Sequence, residues 1–156
     1  MKISRGVPQL ELVYRNAKPS AQKPLIGNSK NAYEIFLENW DKDRIDVVEE
    51  FNIMLLDANH RCIGVSKIAT GSIDELQVDP RLIFATALIA NSTSIAIAHN
   101  HPMCGATPSD EDADLTLGLV KAARYLKIEI CDHIVLSSED YYSFADERLI
   151  LPGFRL

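Results

Sequence analysis

The chain has 156 residues, 47% of them hydrophobic, and a formal net charge of −6, which predicts one domain with a proper core and argues against a phosphate-binding body. No apolar run approaches the length of a membrane span, and the first residues lack the hydrophobic segment of a secretory signal. The three cysteines have no regular spacing, so no disulfide framework is indicated and a reducing cytoplasm is the expected compartment.

Basic residues are concentrated at the start of the chain. Residues 1–30 contain six of the sixteen Lys and Arg residues but only one of the twenty-two Asp and Glu residues. We therefore predict a basic N-terminal extension over 1–30 and a single domain over 31–156. Any nucleic-acid binding is expected to be weak and to come from this extension, and a solvated extension with no such role is the favoured alternative.

The first half of the chain predicts a strand, a connector and a helix. A weak alternation over residues 9–15 indicates a strand, and the Pro-bearing segment 16–27 is typical of an irregular connector. Residues 29–40 carry apolar side chains at helical spacing, with Asn28 or Ser29 available as the cap, and predict a helix.

A hairpin and a buried helix are predicted next. Residues 46–56 and 62–70 are rich in apolar and β-branched side chains and flank a short polar turn, which predicts a β-hairpin. Residues 79–90 open with an Asp-Pro pair, a strong helix start. Their apolar character all round the helix predicts that it is buried against a sheet.

The second half predicts two further strands around a long helix. Residues 94–99 are small and apolar and indicate a buried strand, residues 110–126 a helix, and residues 129–136 another strand. Residues 141–150 predict a short strand or turn and a last helical turn. Strands and helices thus alternate without dinucleotide-binding glycines, which predicts an α/β sandwich with a mixed sheet.

The residues between the strand at 94–99 and the long helix suggest a metal site. His99 and His101 are two residues apart at the strand end, followed by a loop with prolines and a glycine. Ser109 is a natural helix N-cap, and Asp112 is expected in the first helical turn, pointing back toward the strand end. Two imidazoles and one carboxylate match the three protein ligands of a catalytic zinc site, which leaves a fourth position for water.

Simpler interpretations exist for each part of this pattern. A His-X-His pair is often a surface accident, and Ser109 and Asp112 could be a cap and a helix-dipole partner only. The joint order of apolar strand, His-X-His-Pro, short loop, Ser-X-X-Asp and helix is more specific. Cys104 could be a fourth ligand, which would make the site structural. His133, in a predicted strand, is either a satisfied core residue or a group that orients a ligand.

The same pattern excludes a zinc deaminase. That chemistry needs Glu two residues after the first histidine and a Pro-Cys-X-X-Cys segment. The chain has His101 at that position and contains no Cys-X-X-Cys.

The combination of HNHP, TPS and Ser-Asp-Glu-Asp resembles the RadC family of the JAB/MPN (JAMM) metalloprotease superfamily. The segments LLDANHR, GSIDELQVDPR, ICDHIVL and YYSFADE extend the resemblance over residues 46–150. It implies a cytidine-deaminase-like fold in a three-layer sandwich. The chain departs from the usual family pattern at Met103 and Cys104, where Ser-Gly is expected, which affects the loop and not the ligands.

The resemblance also implies roles for individual residues. The zinc ligands would be His99, His101 and Asp112, and Ser109 would help to hold an oxyanion. The general base is expected just before a strand, where Glu49 fits best and Glu50 is the second choice.

The function predicted in this way is zinc-dependent hydrolysis of amide or isopeptide bonds in a peptide or protein substrate, with a possible link to DNA repair. Two alternatives remain open: a non-catalytic accessory protein of DNA repair or mobile elements that keeps the metal fold, and a metal-dependent nuclease, since a zinc hydroxide can attack phosphate as well. No membrane partner is expected, and the sequence does not predict an oligomeric state.

Overall fold

The protein is an α/β structure built on one five-stranded sheet, seen in a computed structural model that describes residues 19–71 and 77–150. The strands are β1 (Glu50–Leu56), β2 (Cys62–Thr70), β3 (Ser94–Asn100), β4 (Glu129–Leu136) and β5 (Tyr141–Ser143). Their order is β2-β1-β3-β4-β5. Only β3 and β4 are parallel, and the other neighbours are antiparallel. The predicted α/β fold with a mixed sheet is confirmed.

Three helices begin at side-chain caps. They are α1 (Ser29–Glu38), α2 (Pro80–Ile89) and α3 (Asp110–Leu126), and a short 3-10 turn (Ser20–Gln22) precedes them. The caps are Asn28, Asp79 and Ser109, each of which accepts a hydrogen bond from a backbone N–H in the first turn. Because a cap satisfies an N–H group that has no partner within the helix, these short polar residues fix where the helices start.

Both faces of the sheet are buried, which makes three layers. Phe51 and Ile53 of β1 share one core with residues of α2 and α3. Met54 and Leu56 belong to a second core with residues of α1, including Phe36. Since each face excludes water, β1 and β3 are buried along their whole length, and most of their residues are apolar. Each fully buried side chain of this size contributes about 1.5–3 kcal/mol.

The strand directions bring one end of β1 next to one end of β3. β1 is antiparallel to β3, with Phe51 opposite His99. The residue before β1 therefore lies beside the carboxyl end of β3. The connection from β3 to β4 passes through α3, and the start of α3 follows the end of β3 by a nine-residue loop. This edge of the sheet is where strand ends and a helix start meet.

Several predicted elements differ in extent. β1 begins at Glu50 and not at residue 46, because residues 41–48 form turns closed by hydrogen bonds such as Val47 N–H to the carbonyl of Arg44. The prediction of an all-round buried α2 is wrong, since Leu82 and Ile89 are about half exposed. The helix packs on the sheet through one face only. In the described part of residues 141–150, turns follow β5 where a helical turn was predicted.

Residues 19–30 pack against the β1–β2 turn. Leu25 pairs with Arg61, and the N–H of Ile26 donates to the carbonyl of His60 at 2.9 Å. Ile26 is buried. The predicted boundary at residue 30 remains a prediction, because residues 1–18, including the predicted strand at 9–15, lie outside the described residues.

No helix within residues 19–71 and 77–150 is long and apolar enough to cross a membrane.

Candidate metal centre

Two histidine rings converge at the end of β3. His99, in the strand, is 1% exposed, and His101, just beyond it, is half-buried. Their Nε2 atoms are 3.0 Å apart. Nδ1 of His101 lies 2.9 Å from the carbonyl oxygen of Thr107, and because a carbonyl only accepts, Nδ1 carries the proton. Nε2 of His101 therefore has a free lone pair that faces its neighbour.

The carboxylate of Asp112 reaches both rings from the first turn of α3. Oδ1 is 3.1 Å from Nε2 of His99, and Oδ2 is 3.4 Å from Nε2 of His101. The backbone N–H and the hydroxyl of Ser109 both donate to Oδ2, at 2.7 and 2.8 Å. As predicted, Asp112 lies in the first helical turn and points back toward the strand end.

The surroundings of Asp112 keep its carboxyl group ionised. Burial acts to raise its pKa, but the contact with the ring of His99, together with the hydrogen bonds from Ser109, holds the pKa well below its ordinary value. An ionised carboxylate is the form that binds a metal ion.

Glu49 completes the cluster from the position just before β1. One carboxylate oxygen of Glu49, one ring nitrogen of His99 and one ring nitrogen of His101 all lie within 4.8 Å of one another. Burial raises the pKa of Glu49, Asp112 adds to that effect, and His99 and His101 oppose it. The backbone of Glu49 is fixed by the N–H of Gly71, which donates to its carbonyl at 2.8 Å.

Glu50, the second choice for the base, lies away from this cluster. It is fully buried, and its Oε1 contacts Nζ of Lys67 at 2.6 Å. Alternate residues of a strand point to opposite faces of the sheet, so Glu49 lies beside the histidines while Glu50 is paired with Lys67. Which of the two acts as the base stays a prediction.

Two other predicted residues have other contacts. Cys104 is exposed and lies outside the group of possible metal ligands that Glu49, His99 and His101 form among the described residues. The hydroxyl of Ser109 donates its proton to Asp112 and accepts from the Asp112 N–H. Its contact is thus with a candidate ligand, and its role at an oxyanion stays a prediction.

Three residues surround the cluster, and the sequence pattern left open a ligand-orienting role for His133 but did not identify Thr116. The side chain of Asn100 binds the segment that leads into β1. His133 contacts Nδ1 of His99 at 2.7 Å, and Thr116 contacts His133. The position of Thr116 was available as a signal, because a residue four after Asp112 lies on the same face of the helix.

The donor set fits a divalent metal ion. The two Nε2 atoms, both with engaged Nδ1 partners, and an ionised carboxylate lie within 3.4 Å of one another. Such a group of electron pairs is mutually repulsive, and a bound cation stabilises it. Imidazole and carboxylate ligands suit zinc and several other first-row metals.

A mixed five-stranded sheet with three helices carries a His-X-His pair at a strand end and an aspartate at the start of the next helix, and this fold is that of a JAB-like domain. Residues 26–149 match the RadC-like JAB domain family, and the chain belongs to that family.

Two relatives are UPF0758 proteins. One, from Alkaliphilus metalliredigens (strain QYMF), is 38% identical over 102 residues, which is 65% of this chain and 44% of the relative. The other, from Symbiobacterium thermophilum, is 39% identical over 106 residues, which is 68% of this chain and 45% of the relative. The chain thus matches less than half the length of each of these relatives.

Proposed function

We propose that the protein is a zinc-dependent hydrolase that cleaves amide or isopeptide bonds in a peptide or protein substrate. The observation that carries the proposal is the convergence of two imidazole nitrogens, one ionised carboxylate and a second, half-buried carboxylate at one edge of the sheet. His99, His101 and Asp112 would hold the metal. When bound by three protein ligands, zinc lowers the pKa of a water molecule toward about 7 and polarises a carbonyl group.

Asp112 and Glu49 are suited to different tasks. Asp112 is ionised and fixed by two hydrogen bonds from Ser109, as a ligand must be. The carboxyl group of Glu49 has a raised pKa, chiefly because of burial, and so accepts a proton more readily than an ordinary glutamate. In the proposed reaction, Glu49 takes a proton from the attacking water and delivers it to the nitrogen of the leaving amine.

The remaining groups hold these residues in place. The carbonyl of Thr107 keeps the proton of His101 on Nδ1, and the cap residue Ser109 orients the carboxylate of Asp112. A hydrogen bond from Ser109 to the oxyanion of the substrate would require its hydroxyl to leave Asp112. Such a contact would be worth about 3 kcal/mol in the transition state.

The test compares two neighbouring glutamates. Zinc-loaded protein is assayed on a fluorogenic peptide library that contains both ordinary and Lys-ε isopeptide bonds. Glu49→Gln should keep the fold and the zinc but lower the rate at least about 100-fold, because it removes a proton acceptor and no ligand. Glu50→Gln is the matched control and should retain hydrolysis, since Glu50 pairs with Lys67 instead.

Other outcomes assign the other functions. Unchanged hydrolysis in Glu49→Gln, together with its loss in Glu50→Gln, would assign the role of general base to Glu50. A zinc-loaded protein that cleaves no peptide would favour the non-catalytic accessory alternative. Cleavage of an oligonucleotide that is lost in Glu49→Gln, without peptide cleavage, would favour the nuclease.

A further inference from the structure

A continuous chain of hydrogen-bonding groups lies behind His99. Nδ1 of His99 is 2.7 Å from Nε2 of His133, and Nδ1 of His133 is 2.5 Å from the hydroxyl of Thr116. The hydroxyl of Thr116 donates to the backbone carbonyl of Asp112 at 2.6 Å. His99, His133 and Thr116 are all buried. The chain thus begins at one candidate ligand on β3, crosses β4, and ends on the backbone of another candidate ligand on α3.

We propose that His133 and Thr116 are positioning residues that hold the proton of His99 on Nδ1, so that its Nε2 lone pair always faces the metal position. The proposal rests on the metal site of the proposed function, but it does not require hydrolysis.

The backbone carbonyl of Asp112, at one end of this series of hydrogen bonds, determines which group donates between Thr116 and His133. A carbonyl oxygen can only accept, and the hydroxyl of Thr116 has a single proton. If that proton pointed to His133, two oxygens would lie 2.6 Å apart with no hydrogen between them, which is repulsive. The proton of Thr116 therefore points to Asp112. The hydroxyl oxygen must then accept, and Nδ1 of His133 is the donor.

The candidate ligand His99, at the other end of this series of hydrogen bonds, determines which group donates between His99 and His133. A histidine that binds a metal through Nε2 carries its proton on Nδ1, and a partner on that nitrogen sets the tautomer and the ring orientation. Nδ1 of His99 then donates to Nε2 of His133. The two hydrogen-bond directions are compatible, because together they give His133 one donor nitrogen, Nδ1, and one acceptor nitrogen, Nε2, as in a neutral imidazole.

Two aromatic rings pack around His133 and isolate its hydrogen bonds from other polar groups. Phe144 stacks on its ring at a centroid distance of 4.8 Å, and Phe51 packs against it edge-on at 6.1 Å. His133 itself is fully buried. Its two ring nitrogens contact His99 and Thr116. The other tautomer of His133 would therefore require the hydroxyl of Thr116 to donate to His133 and to give up its hydrogen bond to the carbonyl of Asp112.

The two histidines are held in different ways. His101 is oriented by a backbone carbonyl, that of Thr107, which side-chain substitution leaves in place. His99 is oriented by two side chains. Substitutions at His133 or Thr116 should therefore weaken metal binding through His99 alone, although neither residue touches the metal position.

The first experiment measures zinc affinity by competition with a chromogenic chelator. Thr116→Val removes the hydroxyl at nearly constant shape and should weaken zinc binding about 10-fold or more, while Thr116→Ser keeps the hydroxyl and should stay close to the wild type. His133→Gln keeps a side-chain oxygen that can accept from His99 and should be less affected than His133→Phe. Thermal unfolding in the presence of a chelator identifies variants that fail to fold.

The second experiment reads the tautomers directly. Long-range ¹H–¹⁵N correlation spectra of the zinc-loaded wild type should show His99 and His133 both protonated on Nδ1 and unprotonated on Nε2. An Nε2-protonated His133 would overturn the proposal whatever the affinities are. So would equal zinc affinities for Thr116→Val, Thr116→Ser and the wild type.

The two proposals fail in distinguishable ways. A wild-type protein that binds no zinc overturns both. A zinc-loaded protein without hydrolytic activity overturns the proposed function and leaves the positioning role intact. Normal hydrolysis together with unchanged zinc affinity in Thr116→Val and His133→Phe overturns the positioning role alone.

Discussion

The side-chain oxygen of Asn100 accepts a hydrogen bond from the backbone N–H of Glu50 at 2.8 Å. The side-chain nitrogen of the same residue donates to the carbonyl oxygens of Ile45 and Val48. Asn100 is fully buried and lies between the two histidines of the candidate site. It therefore fixes the loop before β1, and with it the position of Glu49, relative to the end of β3.

We expect Asn100→Ala to destabilise the protein by about 3 kcal/mol or more, because it leaves the N–H of Glu50 and the carbonyls of Ile45 and Val48 without their side-chain partner. Zinc should still bind, since Asn100 contacts none of the ligand atoms, but hydrolysis should fall as Glu49 loses its fixed position. Urea unfolding of the metal-free protein measures the first effect. Asn39→Ala, which removes an exposed side-chain hydrogen bond to the carbonyl of Ile35, is the control and should cost less than about 1 kcal/mol.

The pair between Glu50 and Lys67 predicts a second stability effect. The side chain of Glu50 is 0% exposed and that of Lys67 is 46% exposed. Lys67→Met should destabilise the protein by about 3 kcal/mol, because it leaves a buried carboxylate without its partner. The double variant Glu50→Gln/Lys67→Met should recover much of that loss. A double variant as unstable as the sum of the two single variants would show that the pair is not coupled.

Asp132 predicts a pH dependence of stability. Burial raises its pKa to about 6 from the ordinary 3.8, although hydrogen bonds from Ser143, Ala145 and Ser29 act to lower it. A group whose pKa is raised in the folded state stabilises that state fully below its unfolded pKa and loses this contribution as the pH rises through the folded pKa. The loss should therefore occur between about pH 4 and pH 7.

The measurement compares the wild type with Asp132→Asn across this range in the presence of a chelator. The free energy of unfolding of the wild type minus that of the variant should fall by about 3 kcal/mol from pH 4 to pH 7, as expected for a shift of about two pH units. If the free energy of unfolding of the wild type minus that of the variant increased with pH, the hydrogen bonds to Asp132 would lower its pKa by more than burial raises it.

The local elements of the fold were predictable because their signals are local. The bounds of α3 and β4 agree with the sequence pattern, since a serine cap, an acidic first turn and the apolar periodicity all lie within a few neighbouring residues. The His-X-His pair and the aspartate also lie in one short stretch, so the candidate ligands could be named without a structure.

The start of β1 and the contacts of His133 were not predicted, because they depend on residues that are distant in the sequence. The start of β1 depends on Asn100, which is 50 residues away from Glu50. The contact of His133 with Thr116 and His99 depends on the parallel pairing of β3 and β4 around α3. No local pattern specifies such pairings, because they follow from the register of strands that are distant in the sequence.

The charge distribution predicts at most weak nucleic-acid binding. Residues 1–18 carry four of the basic residues of the predicted extension, whereas Ile26 and Ser29 are buried in the described body. Deletion of residues 1–18 is therefore the appropriate test, because removal of all thirty residues would also disturb the core. Fluorescence anisotropy on single- and double-stranded oligonucleotides should show weak, steeply salt-dependent binding that disappears on deletion. Tight binding by the shortened protein would reveal a basic groove on the domain itself.

The most direct test of the metal site is the zinc content of four purified proteins, measured by elemental analysis after loading and dialysis. We predict one zinc ion per chain in the wild type, in Glu49→Gln and in Cys104→Ser, because Glu49 is proposed as the base and not as a ligand, and Cys104 is exposed outside the cluster. His101→Ala should fold, since His101 is only half-buried, but should retain no stoichiometric zinc. Unchanged zinc in His101→Ala, or its loss in Cys104→Ser, would contradict the assignment of His99, His101 and Asp112 as the ligands.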